Sequence, residues 1–451
     1  MNAPKVYVLV INWNGRPHLQ DCFASLLASD YVHFNAILLD NASTDDSVAW
    51  FEAHFGGDAH CEVWACPQNL GWGGGNAYGI ERALAEGADY IFLLNNDTAI
   101  APDALRLLVE HGERAPDCAA LAPRMLLFDT PSVLNSVGLR LSSVGAAWDI
   151  GVGRADGTAW HAENEVAGVC GGAMFLRAEA LRACGNLSPV YDIYYDDLDL
   201  CLRFWNAGWR CVSSPAACVR HKFSATLGQA SARKHHLNER NRWRCLLLNW
   251  PAGLILRQLP RLAWCEVRVM GAALRAQRPD LVLAQMRGWA SNLAFLPEGL
   301  GLRRARVRSG QLRGGFQHLV SASPAFCPPL TLPSNGWYPS EMRDGAAWSP
   351  MAPEACLPPT PGKLSVSLAN WYCPEEDLAV AITTPGGGTA EVRTGDVVQI
   401  QADNGATLVA RQIYEQERTG FGFDTGAWVR FEQHGAPVDP RNTWERHDGG
   451  R

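Results

Sequence analysis

Three short apolar runs, each ending in polar residues, punctuate the first hundred positions, Lys5–Ile11 (KVYVLVI), Ala36–Leu39 and Tyr90–Leu94, and Cys61–Ala65, which contains Glu62, predicts a further strand. Runs without polar alternation predict strands buried on both faces. Between them the apolar spacing turns helical, with Leu19, Phe23, Leu26 and Leu27 on one predicted helix, Val48 and Phe51 on a second, and Ala77 to Ala88 forming a third. Strand alternating with helix predicts an α/β fold whose parallel sheet has right-handed crossovers. The polar tips Asn12, Asp40 and Asn95-Asn96-Asp97 then share its carboxyl edge, where open α/β sheets bind ligands.

From about Cys118 the pattern shortens into strands and turns. A longer run covers Val166–Leu176, and Asp197–Ala207 predicts a helix closed by Gly208. These elements predict an acceptor-side half of the same domain, residues 1–240. Residues 241–313 predict two or three Arg-studded helices interrupted by Pro251, Pro260, Pro279 and Pro297. Residues 314–362, rich in Pro, Ser and Gly, predict a linker merging into a new domain. Residues 363–451 predict an all-β, sandwich-like domain with strands near Leu364–Ala369, Leu378–Thr383, Val397–Ala402, Thr407–Ile413 and Ala427–Phe431 and a tight turn at Asp403–Gly405.

The chain has 451 residues, 39 basic and 46 acidic, and a net charge of −7, which argues against nucleic acid as a partner. The 251–314 stretch departs from that balance, with eleven Arg against Glu266, Asp280 and Glu298. Its apolar side, expected at Leu254, Ile255, Leu259, Leu262 and Trp264, and its Arg residues together predict peripheral contact with an anionic membrane surface. The alternative is a set of solvated faces on helices packed against the catalytic domain. Fourteen Cys without any CxxC pair suit reduced, mostly buried thiols. The N-terminal apolar run is too short for a secretory signal and nothing reaches the length of a membrane span, so a cytoplasmic protein is expected.

Asp97 can offer hard oxygen to Mg²⁺ or Mn²⁺, while Asn95 and Asn96 can hydrogen-bond a ribose or a phosphate-bound water. The same residues also suit an Asx turn into a helix near Pro102. Asp40 and Asn41 can read a nucleoside, since Ser43, Thr44 and Asp45 suffice to cap the next helix. The loop Gln68–Asn76 is neither a dinucleotide fingerprint nor a Walker loop, yet its backbone N–H groups can approach a diphosphate. Asp196, Asp197 and Asp199 suit a helix N-terminus. Repulsion between the adjacent Asp196 and Asp197 can also raise one pKa and fit it to a general base. His221 joins a metal shell only if the fold brings it to Asp97.

Six motifs then carry a resemblance: Val10–Asn14, Leu39–Asp45, Asn69–Asn76, Leu93–Thr98, Gly171–Met174 and Tyr195–Arg203. Their order is similar to that of family 2 glycosyltransferases, most of all the rhamnosyltransferase branch, over about residues 5–250. The resemblance implies a GT-A fold, a nucleotide-sugar donor, a divalent metal and inversion at the anomeric carbon. It implies Asp97 as the last acid of the DXD motif, with Asn95 in place of the first, and His221 as a completing ligand. Asp197 matches the family's base, with Asp196 beside it. Donor contacts are implied at Asn12, Asp40, Asn41, Asn69, Gly71, Gly73, Asn76, Asn95 and Asn96. The implied reaction moves a sugar, first of all rhamnose from dTDP-rhamnose and second a UDP-linked sugar, to a glycan or lipid-linked glycan in cell-surface polysaccharide assembly. The alternative is a carbohydrate-binding or scaffolding protein with a degenerate transferase half, using Trp337, Trp348, Trp371 and Trp428 as sugar platforms.

Overall fold

The chain opens with β1 (Val6–Asn12), α1 (Arg16–Leu27), β2 (Phe34–Asp40), α2 (Ser47–Phe55), β3 (Cys61–Ala65), α3 (Gly71–Ala85) and β4 (Tyr90–Asn95). In this computed structural model residues 3–321 are described, except 129–130, 132–133, 153–155, 223–231 and 276–277. Beyond them it describes residues 341–343, 346–350, 354–357, 363–369, 379–384, 389–393, 397–401, 406–410, 428–433 and 436–437. All seven residues of β1 are buried, because alternate side chains enter opposite cores. Val6, Val8 and Val10 meet the helix α1 side, whereas Tyr7 and Leu9 meet Ile80 and Ala83 of α3. Strands β3, β2, β1 and β4 run parallel, as the apolar runs predict.

The sheet continues through β5 (Thr98–Ile100), α4 (Ala104–Arg114), β6 (Cys118–Leu127), β7 (Leu134–Ser136), β8 (Leu139–Ser142), β9 (Ala147–Asp149), β10 (Ala173–Arg177), α5 (Ala178–Cys184), α6 (Asp196–Ala207) and β11 (Arg210–His221). Nine strands form it, in the order β3-β2-β1-β4-β10-β6-β11-β5 with β7 beside β6. Strand β10 is antiparallel to both β4 and β6, so the sheet is mixed beyond its first four strands.

Helix α3 begins at Gly71, six residues before the sequence-predicted start. Its glycines make the early start possible. A Cβ on Gly75 would stand 2.8 Å from Ile11 Cδ1 and one on Gly79 2.8 Å from Leu39 Cδ2, so the helix lies on β1 and β2 at a distance that side chains would forbid. The Val166–Leu176 run likewise contains less strand than expected: β10 starts only at Ala173, and of the glycines before it Gly172 still accepts from Asn95 N at 3.1 Å.

Helices α7 (Ala232–Asn249), α8 (Ala252–Arg275) and α9 (Pro279–Arg308) follow. Pro251 and Pro279 mark breaks as expected, but Pro260 and Pro297 lie inside α8 and α9. Both prolines are exposed, so the carbonyls they leave unpaired can face water. The helices belong to one compact unit with the sheet, Met1–Gly151 and Asp156–Pro324. The second unit contains Ala325–Arg451 and has two antiparallel sheets of six and four strands. Its strands Lys363–Ala369, Ala379–Thr383, Val397–Gln401, Ala406–Ala410 and Trp428–Gln433 coincide with the five predicted runs. The predicted turn at Asp403–Gly405, and Trp337 and Trp371, lie outside the described residues, as do the side chains of Trp348 and Trp428. Among the described residues no helix is long and apolar enough to cross a membrane.

Candidate active site

Parallel pairing puts Asn12 opposite Asp40 and Ile11 opposite Asn95, so the polar tips of β2, β1 and β4 share one edge. There they bond to one another and to the loops around them. Asn12 donates to Ser43 Oγ (3.1 Å) and its Oδ1 accepts from Asn96 Nδ2 (2.7 Å). The Asp40 carboxylate accepts the Ser43 N–H at 3.2 Å and is buried. Asn41 turns away from the edge. Its amide donates to the Gly71 carbonyl (3.0 Å) and to Asn69 Oδ1, and its Oδ1 accepts from Leu70 N (2.9 Å). It therefore shapes the loop that opens α3, in which Gly71 takes a φ of +74°. Asn76 is fully buried and donates to the Trp72 carbonyl, placing it inside α3.

Asp97 and His221 meet, although 124 residues separate them. Antiparallel pairing of β5 with β11 sets His221 opposite Thr98, and His221 Nε2 lies 3.2 Å from Asp97 Oδ1. Both residues are largely buried. Asn135, a residue without any sequence signal, fixes the ring by accepting from His221 Nδ1 at 2.7 Å. With Nδ1 turned to Asn135, Nε2 is the ring nitrogen that faces the Asp97 carboxylate. The separation is that of a hydrogen-bonded imidazole–carboxylate pair, and the same nitrogen and oxygen donors are of the kinds that can hold a divalent cation. Among the described residues no third carboxylate, thiol or imidazole joins them, which leaves further ligand positions to diphosphate oxygens and water.

Gly171 and Gly172 connect this pair to the acidic helix. A Cβ on Gly172 would lie 3.4 Å from His221 Cε1 and 3.7 Å from Asn95 Nδ2; one on Gly171 would lie 2.9 Å from the Trp72 ring and 3.4 Å from Asp197 Oδ2. Trp72 Nε1 donates to Asn95 Oδ1 at 2.9 Å and closes the ring of contacts. Asp197 is thus linked to His221, and through it to Asp97, by the adjacent Gly171 and Gly172. Its two oxygens accept from Gly171 N (3.0 Å) and Leu198 N (2.7 Å), and it keeps partial exposure. Asp196 is buried more deeply, with Oδ2 unpartnered and close to Gly73. Burial raises both carboxyls above the ordinary carboxylate range, Asp196 further because the Asp197 charge adds to it.

A family model described as Glycosyl transferase family 2 matches residues 7–180. The chain carries a family 2 glycosyltransferase domain. The matched span runs from within β1 through β10 and includes the sheet-edge residues Asn12, Asp40, Asn95, Asn96 and Asp97. The mixed α/β sheet described above holds the matched span, and the enzyme is a glycosyltransferase. It is similar to the N-acetylglucosaminyl-diphospho-decaprenol L-rhamnosyltransferase of Mycobacterium tuberculosis, at 23% identity over 252 residues, 50% of this chain and 78% of the relative. It is also similar to a solved structure of GalNAc-T7 with UDP, GalNAc and Mn²⁺ (TM-score 0.46, 14% identity, 56% of this chain and 49% of that one). A third similarity is to S. aureus TarS 1-349 in complex with UDP-GlcNAc (TM-score 0.43, 12% identity, 76% and 96%).

The transferase holds its acidic helix from behind. Tyr194 and Tyr195 precede α6 with φ of +70° and +68°, a left-handed pair that tyrosine rarely adopts. Asn241 of α7, fully buried, donates to the carbonyls of Ile193 and Tyr194, both at 2.9 Å, and Arg240 pairs with Asp192 at 2.8 Å. The third acid, Asp199, serves differently. Burial alone would raise its pKa, but Arg306 of α9 and Arg203 hold it near 2, and Tyr191 and Asn249 donate to its Oδ1. Nothing in the sequence pattern singles out Asn241. We expect Asn241→Ala to strip both carbonyls of their donor and to cost about 2 kcal/mol, read as a lower urea midpoint at unchanged slope.

The raised carboxyls also set a pH signature for stability. A folded-state pKa above the unfolded one stabilises the fold at pH below the unfolded value, and this contribution is lost as pH rises through the folded one. Asp196→Asn should therefore melt higher than the parent protein at pH 8. The gain should shrink as pH falls and vanish below about pH 3, where the carboxyl is protonated in the folded and the unfolded chain alike. Equal melting temperatures at pH 8 would place the Asp196 carboxyl in a better-solvated setting than the structure gives it.

Proposed function

We propose that the enzyme transfers a sugar from a nucleoside diphosphate donor to a hydroxyl of a glycan or lipid-linked glycan, with inversion, in a single displacement. The observation that carries the reading is the convergence of Asp197 and the Asp97–His221 pair on opposite sides of Gly171–Gly172. In a single displacement the acceptor hydroxyl loses its proton as it attacks, and the Asp197 carboxylate, mostly buried and raised in pKa by that burial, suits that proton. Asp97 and His221 would hold a Mg²⁺ or Mn²⁺ ion, which supplies charge neutralisation at the leaving diphosphate. Asn12, Asn95 and Asn96 present polar groups to the donor, and Asp40 stands one strand further along the same edge. The intact set of Asp97, Asp196, Asp197 and His221 supports turnover over mere sugar binding.

The similarity to a rhamnosyltransferase acting on a diphospho-decaprenol glycan supports dTDP-rhamnose as first donor and a lipid-linked glycan as acceptor, with UDP-sugars next. This reading places the enzyme in assembly of a cell-surface polysaccharide. A thermal-shift screen of nucleoside diphosphates and their sugars with Mn²⁺ tests the donor, because a ligand that binds the native state raises its stability by mass action. dTDP and dTDP-rhamnose should give the largest shifts. A larger response to UDP- or GDP-sugars would replace the donor, and no response to any of them would remove the transfer reading.

A further inference from the structure

The structure corrects which face of the Arg-rich helices is open. Leu262 is fully buried, and Leu254 and Ile255 pack against the sheet's core. Leu256, Leu259, Val267 and Leu274 instead form an exposed stripe along α8, with Leu256 65% and Val267 60% exposed. On α9, Leu283, Met286, Trp289, Leu293 and Leu296 are exposed as well. The only exposed charges between Leu283 and Leu302 are Arg287 and Glu298. Among the described residues, twelve of the fifteen large apolar side chains that stand exposed belong to these two helices, so the apolar surface is concentrated rather than scattered.

The charges flanking that surface indicate its partner. Arg257, Arg261 and Arg268 are exposed along one flank of the α8 stripe, and Trp264 stands between them and the leucines. Among the described residues Arg257 and Arg268 enter no ion pair. An apolar stripe, an amphipathic indole and a row of guanidinium groups are the order of chemistry met on passing from acyl chains to anionic headgroups. Between α7 and α9 a groove of about 350 Å³ adds an apolar recess, lined by Trp243, Leu247, Trp289, Leu293, Phe295 and Leu296. Arg303 and Arg306 are not part of this surface, because they donate to carbonyls at the end of α7.

We propose that α8 and α9 dock the enzyme in the interface of a membrane containing anionic lipid, the apolar stripe toward the acyl chains and Arg257, Arg261 and Arg268 among the headgroups. Docking through this face would bring a lipid-anchored hydroxyl to the acceptor side, since Arg244, beside the groove, donates to the Val190 carbonyl in the loop ahead of the Tyr194–Tyr195 turn. That last point rests on the acceptor proposed above; the docking surface does not.

Flotation of the full chain with phosphatidylglycerol–phosphatidylcholine vesicles tests the proposal against phosphatidylcholine alone. The protein should rise with the anionic vesicles and stay behind with neutral ones, and high salt should release it. The double variant Leu256→Glu/Val267→Glu should lose flotation, and Arg257→Glu/Arg268→Glu should weaken it, both with parental melting curves because all four positions are exposed. A parent protein that ignores anionic vesicles, or a glutamate pair that floats as the parent does, would overturn the proposal. So would a dimer that ignores vesicles and dissociates in the glutamate pair, which would assign the face to a second copy of the chain. Donor-dependent thermal shifts, measured on the same samples, separate failure of docking from failure of the transfer reading.

Discussion

Asp197→Asn lowers turnover by about 10²- to 10⁴-fold while donor affinity stays nearly unchanged, because the amide keeps the shape of the carboxylate but cannot take a proton. The geometry makes the substitution clean. Asp197 accepts N–H groups of Gly171 and Leu198, and the amide oxygen can keep one of them. Burial raises the Asp197 carboxyl, so the acid limb of the parent's rate profile should lie above the ordinary carboxylate range and activity should fall as pH drops through it. The Asn variant should show no such limb. If Asp196→Asn gives this kinetic pattern instead, the base moves by one residue, and full turnover by both variants would place proton removal elsewhere.

Asp97→Ala is the second large effect: transfer should be abolished and nucleoside diphosphate binding should lose its dependence on Mn²⁺. The variant removes the carboxylate that faces His221 Nε2 at 3.2 Å and leaves the imidazole as the one remaining side chain of the proposed metal pair. Thermal shifts by nucleoside diphosphate with and without Mn²⁺ measure it directly, since the metal-dependent increment should disappear. Undiminished activity at saturating Mg²⁺ would take Asp97 out of the metal shell. His221→Ala should be milder, because water can occupy its position.

Strands β1 and β4 were legible because each is an unbroken apolar run, β3 less so because it carries Glu62 and is only partly buried, and the polar tips of β1, β2 and β4 share one sheet edge as expected. Helix α3 was placed too late because glycine normally signals a loop. Here the absence of Cβ atoms allows a close approach to Ile11 and Leu39, a tertiary requirement that local propensity does not contain. The meeting of His221 with Asp97 depends on β11 pairing with β5, which no local pattern encodes. Asn135 and Asn241 were invisible for a related reason: each satisfies a partner more than forty residues away, and a lone Asn carries no periodicity.

The charge lock on Asp199 bears on how such enzymes can be cut and recombined. Its arginine partner Arg306 comes near the end of α9, more than a hundred residues downstream of the acid and well past the last recognisable transferase motif. A fragment ending at residue 250 would retain every motif, yet leave a buried carboxylate without one of its two arginines in the helix that carries Asp197. Chimeras that exchange the C-terminal helices for those of another transferase would inherit the same fault unless the arginine travels with them. The side-chain contacts that hold the Asp197 helix therefore reach at least to Arg306, well beyond the span over which the family is recognised.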